Sequence, residues 1–266
     1  LQPAPSRAAS ARVMSLVFAA SGSTVAAARG AGGARRGASP TAGRRGRKGA
    51  SSGGQSRRGG TKRARSRRRV RMAGPSMSVE AAGKLDVPSS RAVAPRLVCF
   101  DLDDTVWFPE MYMLDGAPFQ KLPDGRVLDR GGTEVRVYPA AREALRLLAS
   151  HEAFEGCHVA CASRTSDVDW AKTCLKLIEV EPGMSLRDAM PLQEIFPRNK
   201  QQHFANLRQM TGVEYHDMLF FDNEYGNVAN VSQLGVVCHY CPDGLGVDDW
   251  NEGIAAFVRQ KETLNA

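Results

Sequence analysis

The most constraining feature of the sequence is a short apolar run that ends abruptly at two carboxylates. Residues 96–101 read Arg-Leu-Val-Cys-Phe-Asp, and a second aspartate, Asp103, stands two positions after Asp101. An apolar run without polar alternation is typical of a strand that is buried on both faces of a parallel sheet. Residues two apart on an extended chain point the same way, so Asp101 and Asp103 can converge at the end of that strand. Open α/β sheets bind ligands at the carboxyl ends of their strands, which makes this pair a candidate catalytic centre.

Strand and helix patterns alternate along the rest of the chain, which predicts the α/β class. Further apolar runs lie at 157–162, 194–196, 218–221 and 236–239, and a segment with helical spacing of apolar residues follows each of them. The predicted helices begin at Pro139, after an N-cap at Ser166, at Asn199-Lys200, near residue 226 and near residue 248. This alternation predicts a three-layer α/β/α arrangement, in which a parallel sheet with right-handed crossovers has helices on both faces.

Two intervals between these elements lack a helical pattern. Residues 107–137 contain turn signals at 124–125 (Asp-Gly) and 131–132 (Gly-Gly) between short extended pieces. They predict a β-hairpin flap over the end of the first strand, anchored by the Trp-Phe pair at 107–108. Residues 181–192 are rich in turn residues and are predicted to form a loop.

The charge of the chain is divided between two regions. Residues 1–79 hold eighteen Lys or Arg and no acid, so the remaining segment has 36 − 18 = 18 bases against 28 acids, a net charge of −10. Residues 1–90 are mainly Ala, Gly, Ser and Arg, and such a composition cannot bury enough apolar surface to fold. We therefore expect a disordered basic arm over 1–90 and a single globular domain over 91–266.

The basic arm has three alternative interpretations. Its Arg-rich, Ser-rich and acid-free composition is typical of a chloroplast or mitochondrial transit peptide. Its Arg clusters could instead bind nucleic acid electrostatically. Since the sequence begins with Leu1, a third interpretation is that part of it precedes the true start, with Met14, Met72 and Met77 as alternatives. The apolar stretch at 14–20 is too short to span a bilayer, and six scattered cysteines are typical of a reduced, intracellular protein.

Polar side chains stand where three of the predicted strands end and where one predicted helix begins. In chain order they are Asp101, Asp103, Ser163, Lys200, Asp222 and Asn223. A carboxylate nucleophile, a second carboxylate as acid and base, a hydroxyl and a fixed cation together make a phosphoryl-transfer centre. The oxygen-rich set contains no histidine, so it favours Mg²⁺ over zinc. Taken singly, each residue also has a structural interpretation as a turn, a cap or a solvated charge.

In this order of motifs the chain resembles the haloacid dehalogenase superfamily. More closely, the segments Phe-Asp-Leu-Asp-Asp-Thr-Val-Trp at 100–107, Ala-Ser-Arg-Thr-Ser at 162–166 and Phe-Phe-Asp-Asn-Glu at 220–224 are similar to its magnesium-dependent phosphatase family. The similarity covers about residues 96–258 and leaves out the basic arm. It implies a Rossmann-like fold and a Mg²⁺-dependent hydrolase of phosphate monoesters.

The resemblance also implies a role for each matching residue. Asp101 would attack phosphorus and form an aspartyl-phosphate, and Asp103 would protonate the leaving oxygen and later deprotonate water. Ser163 and Lys200 would hold the phosphoryl oxygens, with Lys200 also pairing with Asp101. Mg²⁺ would be held by the carboxylates of Asp101 and Asp222 and by the backbone carbonyl of Asp103.

Two positions depart from the pattern of the family. Asn223 stands where many members carry a second aspartate; its amide oxygen can coordinate Mg²⁺, but with less charge and so with lower affinity. Asp104 is acidic where a larger, often aromatic residue is expected, and it adds negative charge near the mouth of the site.

The intervals 107–138 and 165–199 are too short for a large inserted cap domain, so we expect an open, capless site. Such a site admits phosphorylated small molecules or proteins, and the resemblance implies phosphotyrosine or sugar phosphates such as fructosamine 6-phosphate. Arg164 is expected either to contact substrate or to form a structural salt bridge. The alternative function is a catalytically weak domain of the same fold with a nucleic-acid-binding arm, but the acidic domain disfavours it. We expect a monomer without a membrane partner.

Overall fold

The computed structural model describes residues 83–265, and the predicted basic arm lies outside the described residues up to position 82. The described residues include eight that precede the predicted boundary at 91. Leu85 in this leading segment is buried, and the carbonyl of Asp86 accepts a hydrogen bond from the Trp250 indole at 2.8 Å. No helix within this range is long and apolar enough to cross a membrane.

A five-stranded parallel sheet forms the centre of the fold, as predicted. Its strands are β1 (Leu97–Phe100), β6 (His158–Ser163), β9 (Leu192–Ile195), β10 (Met218–Asp222) and β11 (Val237–Tyr240). Their order across the sheet is β11-β10-β1-β6-β9, which places β1 in the middle between β10 and β6. The strand that ends at the aspartate pair is therefore the central one.

Helices cover both faces of the sheet. They are α1 (Pro139–Ser150), α2 (Val168–Leu177), α3 (Leu186–Ala189), α4 (Lys200–Thr211), α5 (Tyr225–Ser232) and α6 (Val247–Asn265). Because side chains alternate along a strand, Val98 and Phe100 pack into the core beneath α1, α2, α3 and α6. Leu97 and Cys99 point the other way, into the core beneath α4 and α5. The α/β class and the three layers are confirmed.

Residues 107–137 form a small antiparallel sheet, which is more than the single hairpin predicted there. Its strands are β2 (Trp107–Phe108), β3 (Gln120–Lys121), β4 (Val127–Leu128) and β5 (Glu134–Val137), in the order β2-β5-β4-β3. Trp107 is fully buried, and the Phe108 ring packs 5.1 Å from that of Tyr138. The predicted anchor pair thus joins the small sheet to the main domain.

The predicted loop at 181–192 was wrong. The chain there forms a hairpin of β7 (Glu179–Glu181) and β8 (Met184–Ser185), which leads directly into α3. The Ser185 side chain accepts from the Asp188 backbone N–H, and the Asp188 carboxylate accepts from the Ser185 N–H, which is a capping box. These elements are too short to show a periodic pattern, so only their turn residues were visible in the sequence.

The predicted N-cap of α2 was also wrong by one residue. The cap is Asp167, not Ser166, and its side chain makes no capping hydrogen bond. The Thr165 hydroxyl accepts from the Asp167 backbone N–H at 3.2 Å, and the Ser163 hydroxyl accepts from the Thr165 N–H at 3.3 Å. These side-chain contacts stabilise a turn that delays the start of the helix.

Phe221 is the residue on which the larger core depends most clearly. Its ring stacks between those of Phe100, at 5.5 Å, and Trp250, at 5.6 Å. We expect Phe221→Ala to lower the free energy of unfolding by about 3–5 kcal/mol, because it leaves a cavity in a close-packed core. Urea unfolding measures this, with Leu264→Ala at an exposed helix position as the control, for which about 0.5 kcal/mol or less is expected. Equal losses in the two variants would contradict the packing argument.

Candidate active site

Three neighbouring strands deliver the predicted site residues to one edge of the sheet. Asp101 directly follows β1, Ser163 ends β6 and Asp222 ends β10. Since β1 pairs in parallel with both β6 and β10, their carboxyl ends lie side by side. The backbone N–H of Asp101 donates to the carbonyl of Phe221 at 2.9 Å, which continues the ladder to the catalytic edge.

Lys200, the first residue of α4, brings a positive charge into the middle of this edge. The residue is 1% exposed, and its ammonium donates to Asp101 Oδ1, to Asp222 Oδ2 at 2.9 Å and to the carbonyl of Ala162. An ammonium has three N–H donors, so all of them are used. The lysine therefore ties the ends of β1, β10 and β6 together.

The pKa values in this cluster reflect burial opposed by charge pairing. Burial raises the pKa of Asp101 to about 8, although the Lys200 ammonium acts in the opposite direction, and the neighbouring carboxylates of Asp222 and Asp103 raise it further. Burial alone would lower the pKa of Lys200, but Asp101 and Asp222 outweigh that effect and raise it, so the lysine stays protonated. Two carboxyl groups share one ammonium, so both cannot be ionised without an excess of negative charge, and the raised pKa of Asp101 reflects this.

Asp103 is held by the small sheet. The Trp107 indole N–H donates to Asp103 Oδ1 at 2.7 Å. Burial raises the pKa of Asp103, and the hydrogen bond from Trp107 lowers it in part. Asp104 turns the chain between them with a φ of 50°, in the left-handed region that aspartate tolerates better than most residues. This turn directs Asp103 back towards the sheet edge.

Thr105 connects the first motif to the last one. Its hydroxyl accepts from the backbone N–H of Asn223 at 3.0 Å and lies 3.3 Å from Asn223 Oδ1, to which it can donate. Thr105 is fully buried, and Asn223 is half-buried. The loop after β1 is therefore joined, through Thr105, to the first residue of the loop after β10.

Asn227, in α5, is a residue of the site that sequence reasoning missed. Its amide donates to Asp222 Oδ1 at 3.2 Å and Oδ2 at 3.1 Å, and its carbonyl oxygen accepts from Arg164 at 3.1 Å. Arg164 also lies 3.4 Å from Glu224. The only sequence signal was position, since Asn227 stands on the first turn of the helix that follows Asp222.

A cavity of about 290 Å³ opens onto this edge of the sheet. The predicted residues that line it are Asp101, Asp103, Ser163, Arg164, Lys200 and Asn223. Asp222 is fully buried beneath them and reaches the cavity through its contacts with Lys200 and Asn227. The structure therefore brings all of the predicted site residues together in one place.

The donor atoms of the site suit a hard cation. Within residues 83–265 no group of three or more His, Cys, Asp or Glu side chains is placed to bind a metal. Any ion would therefore need backbone or amide oxygens in addition to Asp101 and Asp222. The available donors are all oxygen atoms, and two of the groups are carboxyls opposed by a single ammonium, which fits Mg²⁺ in composition.

The fold and this set of side chains define a phosphatase of the haloacid-dehalogenase-like class. The chain belongs to the acid phosphatase family, whose sequence model matches residues 93–260.

Two curated relatives and a solved structure are similar to this chain. It is 37% identical over 165 residues to human magnesium-dependent phosphatase 1, covering 62% of this chain and 88% of that protein. It is 33% identical over 147 residues to a HAD-like hydrolase superfamily protein of Schizosaccharomyces pombe, covering 53% of this chain and 83% of the relative. A haloacid dehalogenase-like hydrolase from Xanthomonas campestris superposes with a TM-score of 0.44 at 16% identity, covering 65% of this chain and 98% of that one.

Removing the Lys200 charge should destabilise the protein. In Lys200→Met the carboxylates of Asp101 and Asp222 lose the ammonium that lies between them, and we expect the free energy of unfolding to fall by about 3–5 kcal/mol. Urea unfolding in the presence of a chelator measures the change. Lys172→Met, at an exposed lysine, is the matched control and should change stability by about 0.5 kcal/mol or less. A loss of less than about 1 kcal/mol in Lys200→Met would show that the charge is not needed for the fold.

Proposed function

We propose that this protein hydrolyses phosphate monoesters through an aspartyl-phosphate on Asp101, with Mg²⁺ as its cofactor. The observation that carries the proposal is the position of Asp101 in the cavity, fixed by Lys200 and beside a second carboxylate, Asp103. Membership of the acid phosphatase family supports the reaction class, and the name of the human relative supports the metal.

The chemistry assigns one task to each aspartate. A carboxylate oxygen of Asp101 attacks phosphorus, the bond to the ester oxygen breaks, and Asp103 gives its proton to the departing oxygen. Water then attacks the aspartyl-phosphate and loses a proton to Asp103, which restores both carboxyl groups and releases phosphate. Burial raises the pKa of both aspartates, but bound Mg²⁺ would lower that of Asp101 and keep it ionised as the nucleophile. Asp103 would hold the metal only through its backbone carbonyl, so its side chain would keep its proton until substrate arrives, and Trp107 fixes its orientation.

We propose that three side chains hold the phosphoryl group. Ser163, Arg164 and Lys200 all line the cavity that contains Asp101. Because every N–H of Lys200 already has an acceptor, it must exchange one of them, such as the Ala162 carbonyl, to bind a phosphoryl oxygen. Arg164 must likewise share its guanidinium between the substrate and its present partners Glu224 and Asn227.

The Mg²⁺ ligands that we propose are the carboxylates of Asp101 and Asp222 and the backbone carbonyl of Asp103, with Asn223 as a possible fourth. When bound, Mg²⁺ screens the nucleophile from the phosphoryl oxygens and stabilises the charge that develops on them. Asn227 donates to both oxygens of Asp222 and so orients this carboxylate.

We propose phosphotyrosine-like or sugar-phosphate esters as substrates, and the side chains at the mouth of the cavity support this choice. Tyr112, which is 70% exposed, lines the cavity together with Glu110 and offers an aromatic surface to a leaving group. Glu110 and nearby Asp104 repel polyanionic substrates. Because the mouth is exposed to solvent at Tyr112 and Arg164, an ester with a large alcohol part, such as fructosamine 6-phosphate on a protein, is also compatible.

The test of the reaction class is hydrolysis of p-nitrophenyl phosphate by the full-length chain, with Mg²⁺ and with a chelator. We expect Asp101→Asn to reduce turnover at least about a thousandfold, because an amide cannot serve as the nucleophile. Asp243→Asn removes the same charge at an exposed position and should retain full activity. Turnover by Asp101→Asn at the rate of the unaltered protein would exclude Asp101 as the nucleophile.

Asn223→Asp tests the fourth ligand. If Asn223 contacts the metal, the added charge should lower the Mg²⁺ concentration that gives half-maximal activity by about tenfold. Asn230→Asp, at an exposed position in the same helix–loop region, adds an equal charge outside the cavity and should leave this concentration unchanged. An unaltered Mg²⁺ dependence in Asn223→Asp would remove Asn223 from the ligand set.

A further inference from the structure

A second cleft, of about 510 Å³, lies between α1, the β7–β8 hairpin and the strands β4 and β5 of the small sheet. It shares no lining residue with the cavity that contains Asp101. Its lining combines four arginines with four acidic residues, and the apolar side chains with exposed surface there are Val137 and Pro182. A cleft of this size and mixed lining is comparable to those that bind small organic molecules.

Two arginines of α1 converge on one carbonyl in this cleft. Arg142 and Arg146 are one helical turn apart, and they donate to the carbonyl of Val180 at 3.2 Å and 3.1 Å. Arg142 also donates to the carbonyl of Glu179. Like charges four residues apart on a helix repel each other, and here the shared acceptor holds both guanidinium groups together. An anion between them would remove this repulsion.

The charge of Arg142 is not balanced by any described carboxylate. Among residues 83–265 it has no ion-pair partner within 4.0 Å, whereas the other three arginines of the cleft are paired: Arg126 with Asp124 at 2.7 Å, Arg136 with Glu134 at 3.0 Å and Arg146 with Glu143 at 3.4 Å. Arg142 donates both of its hydrogen bonds from Nη1, so its other N–H groups have no acceptor among the described residues. The half-buried Arg142 is thus the uncompensated cation of the cleft.

Arg146 contributes a second unsatisfied donor. Its Nε is buried and has no hydrogen-bond partner among the described residues, although its guanidinium forms ion pairs with Glu143 at 3.4 Å and, on the Nε side, with Glu181 at 3.8 Å. A buried N–H without an acceptor is costly, and a bound anion or an ordered water is the usual explanation. The orphaned N–H and the unpaired guanidinium lie on the same face of α1, one turn apart.

We propose that this cleft binds a small organic carboxylate, with the carboxylate at Arg142 and Arg146 and the apolar body against Val137 and Pro182. One uncompensated guanidinium matches a single negative charge, and the guanidinium fork matches the two oxygens of a carboxylate. The site is separate from the phosphatase centre, so a failure of the proposed catalytic mechanism would leave it unaffected.

The test is a titration of the nitrogen-15-labelled full-length chain with benzoate, which carries a carboxylate on an apolar ring. Binding is followed at the backbone amides of Val135 and Val180, which belong to different walls of the cleft. We expect saturable shifts at both amides with a common Kd. Shifts that are confined to the basic residues before position 83, or no saturation at either amide, would overturn the proposal.

Two arginine variants separate a specific site from general attraction of anions. Arg142→Gln should raise the Kd for benzoate at least about tenfold, because a charge-assisted contact is lost. Arg136→Gln removes a guanidinium from the same cleft, but one that Glu134 already neutralises, and should raise the Kd by less than about threefold. Equal weakening in the two variants would overturn the proposal. If the spectrum of Arg142→Gln is not that of a folded protein, Arg146→Gln replaces it with the same expected result.

Discussion

The contact of the Lys200 ammonium with Asp101, Asp222 and the Ala162 carbonyl is the interaction on which the site depends. It joins three adjacent strands at the edge where the chemistry is proposed to occur. A buried charge is tolerated only when it is paired and its hydrogen bonds are complete, and this lysine meets both conditions. The same contact sets the position of the proposed nucleophile, so the stability of the sheet edge and the geometry of the site have one origin.

The small antiparallel sheet has a comparable double role. Trp107 is part of its first strand and also holds Asp103, while Tyr112, in the same segment of the chain, lines the mouth of the cavity. The contacts that join this sheet to Asp103 include the hydrogen bonds from the Trp107 indole and from the Met111 backbone. The cleft with Arg142 lies against β4 and β5 of this sheet, so the two regions share a structural element without sharing residues.

The parts of the fold that could be predicted are those whose signal is local. Unbroken apolar runs identify the buried strands, and helical spacing identifies α1, where Ala141, Ala144, Leu145 and Leu148 are all buried as expected. The site residues that could be predicted include those at the ends of strands, namely Asp101, Ser163 and Asp222, because an apolar run in the sequence marks each of these strands. Asn227 and the Arg142–Arg146 pair could not, because their roles come from contacts with distant segments that no pattern in the sequence records. The hairpin and helix at 179–189 were missed because each element has four residues or fewer, which is too short for a repeat of apolar positions to show.

The tryptophans give this protein three optical reporters in different surroundings. Trp107 is buried beside Asp103, Trp250 is buried between Phe221 and Phe154, and Trp170 is half-buried with its ring 6.1 Å from Phe119 of the small sheet. Indole emission depends on the polarity and the quenching groups around each ring. A shift in intrinsic fluorescence can thus be traced by single replacement of these residues to the catalytic edge, the central core or the contact between α2 and the small sheet.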